Sequence, residues 1–238
     1  LSTCGLYINV GTGQEYDSYI KVSDIYIWNV GQSGLRTENG SGGRLRGNHY
    51  RNIRVINAGT YGLWVDSPDS FYTNIDCGSS GSHGIYVDHA NNRLVGCKSW
   101  YSDGSGFYCT TAGRDNQFSA CESQDNLYHG YDIYGRSQMF TACCADSNSY
   151  DASPYTAITG DSYHGFYVHS HGVTLAGCSA SDKNENVGGN PRGLRQQYGF
   201  YIASGLKVNV SGTAYSNAVG ALSSAAHASS VVNVVDAT

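Results

Sequence analysis

The sequence has one methionine, three prolines and little charge, with Asp, Glu, Lys and Arg together making up 14% of 238 residues. No window sustains a 3.6-residue apolar period, which argues against a helical protein. No apolar run is long enough to cross a bilayer, so membrane insertion is not expected. The net charge is -5, with only 14 Lys and Arg. Phosphate binding needs clustered positive charge, so no nucleic-acid partner is expected. The eight cysteines contain no CxxC pair, and without it the usual zinc-site spacing is missing. The sequence opens at Leu1, without an initiator Met, directly on strand-like CGLYINV. The expectation is a mature or trimmed product, or one module of something longer.

What is plentiful is Gly (31) and Tyr (20), against 40% hydrophobic residues overall. That is enough for a folded domain, here read as one domain over residues 1–238, whose chain turns often. The turns recur. A Gly followed by a short alternating run appears as GLYINV from Gly5, GLRTEN from Gly34, GLWVDS from Gly62 and GIYVDH from Gly84. It continues as GFYCTT from Gly106, GYDIYG from Gly130, GFYVHS from Gly165 and GFYIAS from Gly199. Successive openings lie 29, 28, 22, 22, 24, 35 and 34 residues apart, by subtraction of those positions. A unit of about 22 residues with tolerated insertions is a solenoid signature. Each unit closes on a second apolar stretch such as NIDCGS at 74–79, LVGCKS at 94–99 or LAGCSA at 175–180. Both stretches alternate with period two, so both are predicted strands, two or three per turn. The fold class expected is all-β, a single-stranded parallel β-helix of about eight coils.

These repeats resemble those of the right-handed parallel β-helix proteins, the pectate-lyase-like superfamily that includes phage tail spikes. The resemblance spans nearly the whole chain and concerns architecture; it brings no family catalytic motif. It implies an extracellular or virion-surface setting, a polysaccharide partner, calcium as the cofactor if there is one, and, from the spike relatives, a homotrimer.

The period-two alternation assigns faces. With each opening Gly as position zero, positions one and three are apolar (Leu63 and Val65, Ile85 and Val87, Phe166 and Val168) and face the core. Positions two and four then face solvent. Position two reads Tyr7, Arg36, Trp64, Tyr86, Tyr108, Asp132, Tyr167, Tyr201. This is an outward aromatic column, either cross-coil packing or a platform for pyranose rings. Trp64, Tyr86, Tyr108, Tyr167 and Tyr201 are its candidate substrate-binding residues, with His169 beside them. Position four places Glu38, Asp66 and Asp88 on three consecutive coils. Stacked carboxylates repel, so a proton, a cation or a base must offset them. One carboxyl with a raised pKa beside an ionised one is the arrangement of glycoside acid–base chemistry. Asp66, Asp88 and Glu38 are therefore the candidate catalytic residues, and Asp66 and Asp88 the candidate calcium ligands. The competing reading is a solvated acidic face.

Three further readings are definite enough to test. Cys77, Cys97, Cys121, Cys143 and Cys178 are expected to stack as one interior column of free thiols, with Val55, Ile27 and Thr213 at the same place in other coils. His83, His129 and His164, each preceding an opening Gly, are expected at corners with their rings hydrogen-bonded to backbone. The inserted stretches at 150–164 and 182–198 are expected to form one wall of a groove. For function, a polysaccharide lyase or glycoside hydrolase stands beside a non-catalytic receptor-binding or structural module such as a tail fibre or adhesin. An ice-binding face would need a repeated Thr column, which position four lacks.

Overall fold

The computed structural model describes residues 3–11, 19–40, 45–149, 163–182, 186–187, 190–191, 196–224, 226 and 228–236. The expected insertion wall falls largely on residues 150–162 and 183–195 and so lies mostly outside the described residues. All regular structure among the described residues is β. The backbone climbs as a coil with three sides. The first side is a nine-stranded parallel sheet whose members, from Leu6–Val10 to Gly220–Ser224, are successive copies of the Gly-led run. The second and third sides belong to one twelve-stranded sheet. In the coil after Gly84 the sides are Ile85–Val87, Arg93–Val95 and Lys98–Trp100.

Corners separate the sides, and each needs a left-handed residue. One column of positive φ runs through Asp24, Asn52, Asn74, Gly96, Ala120, Ala142 and Gly177. Another runs through Asn29, Asn57, Ser79, Tyr101, Asp125 and Ser147. Asn, Asp and Gly tolerate this conformation at least cost. Buried amides tie successive corners together. The Asn92 amide N–H donates to Asn116 Oδ1 at 2.7 Å, and Asn116 N–H in turn donates to Gln138 Oε1. A second ladder joins Asn126, Asn148 and Gln196.

The core is filled from the first side by Leu35, Leu63, Ile85, Phe107, Tyr131, Phe166 and Phe200, all fully buried. Their rings stack coil on coil: Phe107–Tyr131 at 4.7 Å, Tyr131–Phe166 at 4.5 Å and Phe166–Phe200 at 5.1 Å. The opening Gly is required by close approach. A Cβ on Gly62 would sit 2.5 Å from Cys77 Cβ, and one on Gly84 would overlap Ser99 Oγ.

The thiol column differs from expectation. Cys97, Cys121, Cys143 and Cys178 do stack, and all eight cysteines are free. Cys77, however, is opposite Val55 and Ser99, two residues further along the coil. Thr213 is opposite Ser179, and Gly212 takes the place opposite Cys178. The left-handed corner sets the register: Asn74 aligns with Gly96, so Ile75, not Cys77, falls on the Cys97 column.

Candidate functional site

The outward columns of the first side are where the alternation puts them. Tyr7 pairs with Arg36, Arg36 with Trp64, Trp64 with Tyr86 and Tyr86 with Tyr108. Asp132, Tyr167 and Tyr201 complete the column. Glu38 is directly opposite Asp66, and Asp88 N–H donates to the carbonyl of Val65, just before Asp66.

Within this column the acids differ. Glu38 is held by Arg36 at 2.6 Å and accepts the Tyr7 hydroxyl. Asp88 Oδ1 accepts the Thr110 hydroxyl at 2.5 Å. Among the described residues no hydrogen bond supports the Asp66 carboxylate. Burial, and then the negative charges of Asp88 and Glu38, raise its pKa to about 6, against a smaller opposing pull from Arg36. Two donors nearby, Arg36 Nε and Trp64 Nε1, are buried without a partner among the described residues, an uncommon state. The Arg36 guanidinium lies 3.8 Å from the Trp64 ring centre.

The residues preceding each Gly join this face. His83 Nδ1 accepts the Ser105 N–H, and His129 Nδ1 accepts the His164 N–H, both at 3.0 Å. These are the expected corner bonds for His83 and His129; His164 departs from the expectation, its Nδ1 being buried without a partner among the described residues. The rings also pack on the column: Tyr61 on Tyr86 at 4.4 Å, His83 on Tyr108 at 4.3 Å and His164 on Tyr201 at 4.4 Å. Burial lowers His83 and His164 to about 4, so neither is charged near neutrality.

This packing changes the role of the aromatics. Tyr86 is stacked by Tyr61 and by Tyr108, the latter at 5.5 Å and 1°. Its two ring faces are used inside the protein, so the column turns ring edges and hydroxyls outward. The hydroxyls of Tyr86, Tyr108, Tyr167 and Tyr201 bond to no described residue; their hydrogen-bonding capacity faces solvent. The column is a row of phenol donors and acceptors more than a set of flat stacking surfaces.

Asp132, read from the sequence only as an interruption of the aromatics, is buried and 2.9 Å from His169 Nε2. His169 is in turn stacked on Tyr134 at 3.9 Å and contacts Tyr167 at 3.6 Å. The carboxylate fixes the ring through Nε2. The alternation carried a signal for it: Asp132 and His169 occupy positions two and four of adjacent coils. His89 and His171 are corner residues instead, each accepting a nearby backbone N–H on Nδ1. Arg93 is on the second side, over Phe71, and cannot serve this face.

Glu38 is committed to Arg36 and Tyr7, and no group of three or more His, Cys, Asp or Glu side chains among the described residues is placed to hold a metal.

A family model described as a right handed beta helix region matches residues 7–157. The chain belongs to the right-handed β-helix family. No curated protein matches it. Among solved structures it is similar to the pectate lyase Pel9A, with 16% identity and a TM-score of 0.55, covering 89% of this chain and 59% of that one. It is also similar to a double mutant of the periplasmic alginate epimerase AlgG, at 16% identity and a TM-score of 0.48, covering 91% of this chain and 49% of that one. The chain thus spans 59% and 49% of the lengths of these two proteins, and the first likeness is one of fold.

Proposed function

We propose that the first side binds a polysaccharide and hydrolyses it at the Glu38–Asp66–Asp88 column. The observation that carries the reading is Asp66: a carboxyl whose proton is retained to about pH 6, beside the negative charge of Asp88 and a face of outward hydroxyls. Asp66 gives its proton to the glycosidic oxygen as the C–O bond breaks. Asp88, with one oxygen held by Thr110 and the other free, takes the anomeric carbon. Water then releases the sugar and returns a proton to Asp66. Adjacent coils rise by about 4.8 Å along the sheet, a spacing nearer the retaining geometry of about 5 Å than the wider inverting one. Trp64, Tyr86, Tyr108, Tyr167 and Tyr201 hold the chain along the column, the tyrosine hydroxyls meeting sugar oxygens. An acidic face repels uronates, which favours a neutral glycan. The name of a pectate lyase among the similar structures supports a carbohydrate, and the setting would then be outside the cytoplasm.

A non-catalytic binding module is the second reading. It is favoured by the ring stacking, which by itself would stiffen a recognition surface. The deciding experiment incubates the chain with neutral and uronate-containing polysaccharides, with and without calcium. New reducing ends are followed together with the ultraviolet absorbance of unsaturated uronates. Hydrolysis predicts reducing ends without that absorbance, abolished in Asp66→Asn and Asp88→Asn. Absorbance would make the chain a lyase. Silence with retention on one glycan would leave a binding module. Sedimentation of the same sample tests the trimer that the spike resemblance implies.

A further inference from the structure

The third side carries a feature the first side lacks: an aromatic ring laid across the sheet. Trp100 is directly opposite Gly78. A Cβ on Gly78 would come within 2.5 Å of Trp100 Cζ2 and 2.6 Å of Cε2. The indole therefore occupies the space that any other residue would fill. Its Nε1 donates to Asp76 Oδ1 at 2.7 Å, which locks its orientation. Next to it, Tyr101 sits at the third-side corner with φ 52°, where the aligned residues are Asn, Ser or Asp. A bulky ring in this conformation is an outlier, and such strain clusters at functional positions. Tyr101 is 39% exposed, and its ring meets Trp100 edge-to-face at 5.5 Å.

Beside the rings lies an open pocket of about 270 Å³ lined by Arg54, Asp76, Lys98, Trp100, Tyr101 and Gln124. Its charges are balanced: Arg54 pairs with Asp76 at 3.3 Å, and Lys98 with Glu122 at 3.1 Å. Further along the same outward column, Trp28 is 65% exposed. Three sheet spacings of about 4.8 Å separate Trp28 from Trp100, or about 14 Å along the coil axis. Preorganised aromatic surface over a neutral polar floor suits the C–H faces and hydroxyls of an uncharged sugar. A charged ligand would find no unpaired counter-charge there.

We propose that the third side is a second carbohydrate site, separate from the acidic column. Trp100 and Tyr101 form its stacking surface and Trp28 an outer contact, and its ligand is a neutral oligosaccharide running along the coil axis. The inference rests on the reading of the protein as a glycan-acting one. The test titrates the chain with hexasaccharides of glucose, mannose and galactose, and with an oligogalacturonate, by tryptophan fluorescence and calorimetry. Four variants are compared after their melting temperatures are checked: Trp100→Ala, Gly78→Ala, Tyr101→Asn, and a Tyr86→Phe/Tyr108→Phe pair on the first side. The expected result is two classes of neutral-hexasaccharide site, one that weakens at least tenfold in Trp100→Ala and Gly78→Ala and several-fold in Tyr101→Asn, and one that weakens only in the Tyr86/Tyr108 pair. Binding lost only in that pair would overturn the second site and leave the first-side reading standing. Preference for the oligogalacturonate, or Trp28-dependent self-association in place of glycan binding, would also overturn it. No binding by any form would sink both readings together.

Discussion

At the scale of single residues, Asp66 is the group whose environment works against its charge. Its pKa rises from 3.8 to about 6 on folding, so between those values the folded chain holds more protons than the unfolded one. Stability contributed at this site is then lost as pH rises through that window. Two pH units correspond to about 3 kcal/mol, which partial exposure reduces to about 1 kcal/mol. Asp66→Asn is therefore expected to melt higher than the parent at pH 7.5, with the gap closing towards pH 4, while cleavage is lost. The histidines run the other way. His83 and His164 fall from 6.5 to about 4 by burial. The unfolded chain binds the extra protons, and their contribution is lost as pH falls from 6.5 towards 4. With His129 lowered for the same reason, thermal melts across pH should show net destabilisation on the acid side. A parent chain equally stable at pH 4.5 and 7.5 would contradict these burials.

At the scale of the element, the corner and the opening Gly define each coil for different reasons. Gly84 is needed for space, since a Cβ there overlaps Ser99 Oγ and comes within 2.9 Å of Ser102 Oγ. Gly96 has open space but φ 62°. Gly84→Ala should cost about 2–3 kcal/mol through overpacking. Gly96→Ala should cost about 1 kcal/mol or less, because Ala120 and Ala142 already take that conformation in the next coils. The corner amides are a third case. Asn116→Ala would strand the Asn92 N–H, bonded to Asn116 Oδ1, while the His89 carbonyl keeps its bond from Asn92 Nδ2, for about 1–3 kcal/mol. Denaturant unfolding of the three variants measures these differences. The elements also show how far the sequence could be read. The Gly spacing and the alternation in GLWVDS and GIYVDH are local, so the first side and its columns were legible. The offset of Cys77 was not, because matching cysteines to cysteines ignores the left-handed residue that resets the register. Aligning Asn74 with Gly96 would have recovered it. Ring orientation was also beyond reach: alternation shows that Tyr86 points outward, but not that Tyr61 covers its face. The Asp132–His169 pair joins residues 37 positions apart, and only the length of the intervening coil brings them together.

At the scale of the whole molecule, each coil touches only the coils above and below, so stability approximates a sum of local and nearest-neighbour terms. The buried thiols report on this because they are spread along the axis. Cys77, Cys97, Cys109, Cys121, Cys143 and Cys178 are all buried, while Cys4 and Cys144 are partly exposed. Burial raises the thiol of Cys77 well above its ordinary range. A thiol reagent should modify at most Cys4 and Cys144 quickly in the native chain and all eight after unfolding. The informative comparison is Gly84→Ala, which perturbs one coil. Under nearest-neighbour coupling, labelling should accelerate most at Cys77, Cys97 and Cys109, which flank that coil, and least at Cys178. Equal acceleration at every buried thiol, read by mass spectrometry of the labelled peptides, would show that the coils open as one cooperative body. In that case strain introduced beneath the acidic column would be felt equally at the Trp100 face. Local opening would instead confine the strain to the coils around Gly84, which carry both Asp88 and Trp100, so a ligand on either face would stabilise those coils and leave the ones around Cys178 unaffected.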